Sequence, residues 1–359
     1  MNKTGVLVGL AVFAIYLIGA MNIGVMQSTT QAPQEVVFTE EPILNIYSSR
    51  HYDTDERLYT DFEAATGIKV RKIEDKADAL MARMEAEGAN SPADILLTTD
   101  VGRLWAADER GLFQGVKSDT LEAAIPQHLR HPQGHWFGFS KRARLIFVDK
   151  ARVDPASITS YLDLADPKLK GLVCTRSSSN IYMLSLMASM IQNYGAEKAK
   201  AWAQGMYDNR ARDPEGGDTD QLRGIVSGQC GVVLANTYYY ARAMRKDVRG
   251  LSGPDELAKI GVVFPDQETV GTHVNISGGG IAINAPHLNN AVKFLEYLAS
   301  EQAQTYFAEG NDEYPVVPGI AVSSHVASLG TFKEDSLNLL VLGINQPQAQ
   351  AIYDAVGYK

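Results

Sequence analysis

Tyrosine recurs where three strand-like runs end. ILNIY (43–47) is followed by SSRHYD, which carries His51 and Tyr52. GLVCT (171–175) is followed by RSSSNIY, which carries Tyr182. GVVLA (231–235) is followed by NTYYYAR, which carries Tyr238, Tyr239 and Tyr240. In open α/β sheets ligands bind outside the carboxyl ends of the strands, so repetition at three such ends points to one convergent site. A single tyrosine is ordinarily a packed, half-buried aromatic. Adjacent helical residues point about 100° apart, so the three of the run cannot all face one point. Phenolate is a hard anionic oxygen donor that suits a hard, highly charged cation. A free phenol has a pKa of about 10, so only a strongly polarising cation recruits it at neutral pH. Ferric iron, Fe3+, is the obvious biological candidate. Four phenolates around it leave one excess negative charge, which Arg142, Arg144 and Arg242 are placed to offset.

Other candidate groups point elsewhere. His128, His131 and His135 (HLRHPQGH) have a spacing that suits a divalent metal, but Pro132 and Gly134 make the segment a loop, expected to be solvated. Asp53, Asp55 and Glu56 read as the acidic start of a helix. Gly278–Gly280 lacks the spacing of a phosphate-cradling loop and reads as a close backbone crossing. Ser177–Ser179 at a helix start is a generic anion site, which leaves a binding protein for an oxyanion or small organic anion as the alternative function. No nucleophile–base pair or organic cofactor motif is legible, so an enzyme is not expected. The net charge is −9 and no basic stripe is present, which argues against a nucleic-acid partner.

These residues need a scaffold. The chain has 359 residues, 45% of them hydrophobic, enough for two cores. Lys3 is the only charge before Glu35, and Gly5 to Met26 is nearly all apolar. Residues 1–26 therefore read as an export signal peptide or an uncleaved membrane anchor, and 27–42 as a polar tether. Beyond it, apolar runs alternate with amphipathic segments: 43–47, 93–99, 144–149, 171–175, 231–235, 260–264 and 279–284 as strands, a helix over 55–66 closed by Gly67, and a long helix near 287–308. Alternation of this kind predicts α/β layers with largely parallel sheets. Thr54 or Asp53, then Ser178, Ser179 or Asn180, then Asn236 or Thr237 are candidate helix caps. Cys174 and Cys230 either pair or remain two buried thiols.

At this point the sequence resembles a known family, the periplasmic ferric-ion-binding proteins of bacterial iron ABC importers, and most closely their tyrosine-rich cyanobacterial-type branch. The resemblance is carried by NIYSSRHYDTD (45–55), ADILLTTDVGRL (93–104), GHWFGFSKRARLIFVDK (134–150), SYLDLADPKLKGLVC (160–174), SSSNIY (177–182), LANTYYYAR (234–242) and HVNISGGGIAINAPH with the segment to NDEYPV (273–316). It implies a type II periplasmic-binding fold: two α/β lobes, 43–143 plus 275–318 and 144–274 plus 319–359, joined by crossing hinge strands near 143–149 and 275–281. The ligand cleft would lie between them. It implies ferric iron held by Tyr52, Tyr182, Tyr238 and Tyr239. His51 would stand at a position that is a fifth ligand in some members, with Arg142 and Arg242 balancing charge beside the ligands. The His–Glu pair of the other branch is not evident, so the resemblance does not imply that a synergistic anion is required. It further implies a monomeric periplasmic protein, delivering iron to the permease and ATPase of an ABC importer.

Overall fold

The computed structural model describes residues 40–359, apart from His51, Asp247 and Ser252. The export segment and most of the tether lie outside the described residues. Among those described, no helix is long and apolar enough to cross a membrane.

The first half builds β1 (Ile43–Ser48), α1 (Glu56–Thr66), β2 (Lys69–Glu74), α2 (Ala77–Glu87), β3 (Ile95–Thr99), α3 (Val101–Glu109), β4 (Phe113–Gln114) and α4 (Asp119–Ala124). Then β5 (Phe137–Asp149) crosses into the second half. There β6 (Val173–Cys174), α5 (Ile181–Tyr194), α6 (Ala196–Asp208), α7 (Asp218–Val226), β7 (Val232–Asn236), α8 (Thr237–Arg245), α9 (Pro254–Ala258) and β8 (Ile260–Val263) follow. The chain returns through β9 (Val274–Ala282), α10 (Leu288–Leu298), α11 (Glu301–Asn311) and β10 (Tyr314–Pro315), and ends in α12 (Ser324–Ala327), α13 (Leu340–Ile344) and α14 (Gln346–Ala355).

One strand serves both sheets. The strand order is β2-β1-β3-β9-β5-β7-β6. Phe137 to Ala143 of β5 pair with β9, whereas Arg144 to Val148 pair with β7 and Ile146 to Asp149 with β8. The expectation of largely parallel sheets is corrected here. Only β1–β2, β1–β3 and β6–β7 run parallel, because every ladder involving β5 or β9 is antiparallel. Both strands cross between halves, and a strand that returns against its neighbours needs no helical crossover.

Period-two alternation explains the second half. On β7, Val232 and Leu234 enter a core with α5, α6 and α14, while Val233 and Ala235 enter another with α7 and α8. Coverage on both faces is why GVVLA reads as a continuous apolar run. The glycines of β9 answer to a close approach. A Cβ on Gly278 would meet Phe137 O at 2.3 Å, and one on Gly280 would meet His135 O at 2.2 Å. The Gly278–Gly280 run is a crossing strand, as its spacing indicated.

Three local expectations are corrected. The long helix near 287–308 is two, because Ser300 Oγ accepts from Ala303 N at 3.3 Å and caps α11 afresh. The strand after Gly171 shrinks to Val173–Cys174. Thr54 does not cap α1: its hydroxyl is bonded to Asn311, and the Asp55 carboxylate is taken by Arg50. Cys174 and Cys230 form a disulfide that closes 56 residues of chain. A loop of this size contributes about 4 kcal/mol in the chain-entropy view. Cys174→Ala with Cys230→Ala is expected to lower unfolding free energy by about that amount in denaturant titration. A change below about 1 kcal/mol would contradict it.

Candidate metal centre

The tyrosines reach one place from three segments. Tyr52 stands in the turn between β1 and α1, half-buried. Tyr182 lies in the first turn of α5, whose start Asn180 fixes by accepting from Tyr182 N at 3.0 Å. Tyr238 and Tyr239 open α8, with Tyr238 buried and Tyr239 half-buried. The Tyr182 and Tyr238 hydroxyls are 3.4 Å apart, and the Tyr238 and Tyr239 rings stack with centroids 4.3 Å apart. Tyr240 turns away, as helical spacing requires, and packs on Phe147 in the core. His51 lies outside the described residues.

Arginines enclose the cluster. The Arg142, Arg144 and Arg176 guanidinium carbons lie 5.4, 5.7 and 5.2 Å from the Tyr182 ring centre. Arg242 lies 5.7, 5.5 and 5.8 Å from the rings of Tyr52, Tyr238 and Tyr239. Arg50 lies 5.0 Å from the Tyr52 ring. Carboxylates hold these cations. Arg50 donates to Asp55 at 2.9 and 3.1 Å and to Glu313 at 3.1 Å. Arg144 donates to Asp218 at 2.8 Å, and Arg176 reaches the other oxygen of Asp218 at 3.4 Å. Arg142 donates to Ser277 Oγ at 2.9 Å and faces Asp100 at 3.9 Å. Among the described residues, Arg142 Nε and Nη2, both buried, have no hydrogen-bond partner. Such donors are costly unless a negative oxygen completes them.

Burial favours the protonated form of Tyr52, Tyr238 and Tyr239 in the metal-free chain. Burial, then the Glu313 and Tyr182 charges, push Tyr52 up to about 12, against Arg50 and Arg142. Burial raises Tyr238 well above the ordinary phenol value, and the neighbouring Tyr182, Tyr52 and Tyr239 add to it. Tyr239 rises through burial, Tyr182 and Asp218. A group raised in this way contributes its stability in full below its unfolded value near pH 10 and loses it as pH rises through its folded value. The metal-free protein is therefore expected to melt at progressively lower temperature from about pH 10 toward 12. A flat melting temperature across that window would contradict the burial argument.

Several members of this arrangement were not visible in the sequence. Arg176 and Asp218 lie outside the motifs that carry the family resemblance, Arg50, Asp55, Asp100 and Glu313 lie within motifs that assign them no role at the site, and only the fold places them beside the tyrosines. Asn236, expected as a cap, makes no side-chain cap bond, and its Oδ1 accepts from Arg144 at 3.0 Å. The 128–135 loop is not simply solvated: His131 is buried, and its ring stacks on that of His135.

The chain matches the family described as bacterial extracellular solute-binding protein over residues 90–335. It is 49% identical to iron uptake protein A1 of Synechocystis over 89% of this chain and 88% of that protein. It superposes on a Trichodesmium protein solved in complex with iron and citrate ligands with a TM-score of 0.84, at 49% identity, over 88% of this chain and all of that one. The ferric binding protein of Campylobacter jejuni follows at 38% identity and a TM-score of 0.81, over 88% of this chain and all of that one. The fold is the type II periplasmic-binding fold, two α/β lobes joined by crossing strands, and the chain belongs to the bacterial extracellular solute-binding proteins.

Proposed function

We propose that this protein captures ferric iron outside the cytoplasmic membrane and delivers it to the permease and ATPase of an ABC importer, as a binding protein and not an enzyme. The carrying observation is the meeting of four tyrosines from three segments, with two hydroxyls 3.4 Å apart and the Arg142 guanidinium 5.4 Å from the Tyr182 ring. In this reading Tyr52, Tyr182, Tyr238 and Tyr239 supply oxygen to the iron and Arg142 and Arg242 balance charge. The lobes, 43–143 with 275–318 and 144–274 with 319–359, close around it. The relatives' names, iron uptake protein and ferric binding protein, support the same cargo.

Charge supports the trivalent ion. Arg50, Arg142, Arg144, Arg176 and Arg242 stand against Asp55, Asp100, Asp218 and Glu313, one positive charge in excess. Four phenolates on Fe3+ carry one negative charge, so the loaded site is neutral without a further anion. The oxyanion alternative has less support. Ser178 Oγ is bonded to Tyr358 O at 2.8 Å, and the Ser177 and Ser179 hydroxyls bond each other at 2.9 Å.

The test is an absorbance spectrum and metal analysis of protein purified without chelator. One iron per chain with a visible phenolate-to-iron charge-transfer band is expected. Each phenol must shed a proton to bind, so apparent affinity falls with pH by up to about tenfold per unit for each proton released. Iron-loaded protein without a visible band, or calorimetric binding of phosphate by metal-free protein in its place, overturns the proposal.

A further inference from the structure

We propose that Asp108, His131 and His135 form a second metal site, for Zn2+ or a similar late first-row divalent ion, independent of the tyrosine centre. Asp108 comes from the last turn of α3, more than twenty residues before the histidines, so the sequence does not show the three together. A tight turn pairs the two rings. Gly134 N donates to His131 O at 3.0 Å, His131 N donates to Trp136 O at 2.9 Å, and Gly134 takes the positive φ of 73° that favours glycine. The rings then stack, centroids 4.4 Å apart and 10° from parallel.

Both rings face the one carboxylate. His135 Nδ1 lies 2.6 Å from Asp108 Oδ1, and His131 Nε2 lies 3.4 Å from Asp108 Oδ2. One donor atom from each of the three residues falls within 4.8 Å of the others. A modest rotation of the half-exposed His135 ring, 32% accessible, brings the set toward the ~2.0–2.2 Å bonds of zinc. Two imidazoles and one carboxylate are borderline donors that suit zinc and its neighbours and leave a fourth position open to water. The tyrosine centre, all hard anionic oxygen, selects a different ion.

The metal-free hydrogen bonds explain what the ion replaces. His131 Nδ1 accepts from Gln133 N at 3.2 Å, so in the neutral ring Nε2 carries the proton and points to Asp108. On metal binding the ring takes the other tautomer: Nε2 turns its lone pair to the ion, Nδ1 carries the proton, and the long Gln133 contact is given up. No net proton leaves the neutral ring. The ion then ties the end of α3 to the hairpin that leads into β5, both of which pack on the first-half core through Ala107, Leu129 and Trp136.

Calorimetry with ZnCl2 on metal-free protein carrying Tyr238→Phe and Tyr239→Phe, beside wild type, tests the site. One Zn2+ per chain is expected in both. Adding His135→Ala or Asp108→Asn should weaken Zn2+ binding by on the order of 10- to 100-fold or more, and placed alone in wild type each should leave the iron band unchanged. His135 is half-exposed, so His135→Ala keeps the test readable if Asp108→Asn disturbs α3, and a melt without metal verifies folding. No zinc binding, or zinc binding that His135→Ala leaves intact, overturns the proposal.

Discussion

Replacing Tyr238 and Tyr239 together by phenylalanine is expected to abolish the visible iron band and to weaken ferric affinity by on the order of 10- to 100-fold or more for each phenol lost. The figure is a lower bound taken from the loss of groups that merely support a ligand. Folding should survive. Phenylalanine keeps the ring, and the Tyr238 hydroxyl meets other phenols of the cluster, Tyr182 at 3.4 Å and Tyr239. A buried hydroxyl with weak satisfaction contributes little net stability. The two single variants belong in the same experiment, because stacked neighbours 4.3 Å apart do not add independently. Tyr240→Phe is the control. Its hydroxyl reaches only Leu257 O at 3.4 Å, on the core side of α8, so iron binding should be unchanged. If the double variant keeps its band, or Tyr240→Phe loses it, the assignment of phenols to iron fails.

The tyrosines were legible because they sit at the ends of strands. Tyr182 and Tyr238 follow runs whose apolar continuity marks burial, and a strand end followed by a helix start fixes where the next side chain goes. The strands β7 and β5 were legible for the same reason, since an apolar run is a local property. What failed was non-local. Strand direction depends on partners, so the glycines of β9 marked a crossing while the antiparallel sense of its pairing with β5 left no trace in either strand. The break at Ser300 was hidden by apolar residues that keep helical spacing on both sides of it. The carboxylates behind the arginines were invisible for a simpler reason. Asp55 looked like part of an acidic helix start, and Glu313 stood in NDEYPV without an assigned role, until the fold set both against Arg50. A buried charge is recognised by its partner, and sequence spacing does not supply the partner.

The second large effect is expected at Asp218. Asp218→Asn should lower unfolding free energy by about 3–5 kcal/mol, the cost of leaving a buried cation without its counter-charge. Asp218 is fully buried, and one oxygen accepts from both Arg144 Nη1 and Asn236 N at 2.8 Å. Asparagine keeps the shape and drops the charge, and its amide can place N–H groups against a guanidinium. Arg144 is itself only 2% exposed, so water cannot replace the lost partner. An exposed pair gives the contrast. Lys69 with Glu63 is 71% and 27% accessible, and Lys69→Ala should change stability by no more than about 1 kcal/mol. Asp218→Asn should also weaken iron binding. The same carboxylate anchors the residue that opens α8 and holds Arg144 and Arg176 against the Tyr182 ring, so losing it loosens both sides of the phenol cluster at once. Denaturant titration of metal-free protein reads the first effect and the iron band reads the second. A stability change no larger than that of Lys69→Ala would mean that Arg144 finds other acceptors, Asn236 Oδ1 at 3.0 Å and Leu234 O at 3.4 Å being the nearest, and that the carboxylate is not what fixes the start of the tyrosine helix.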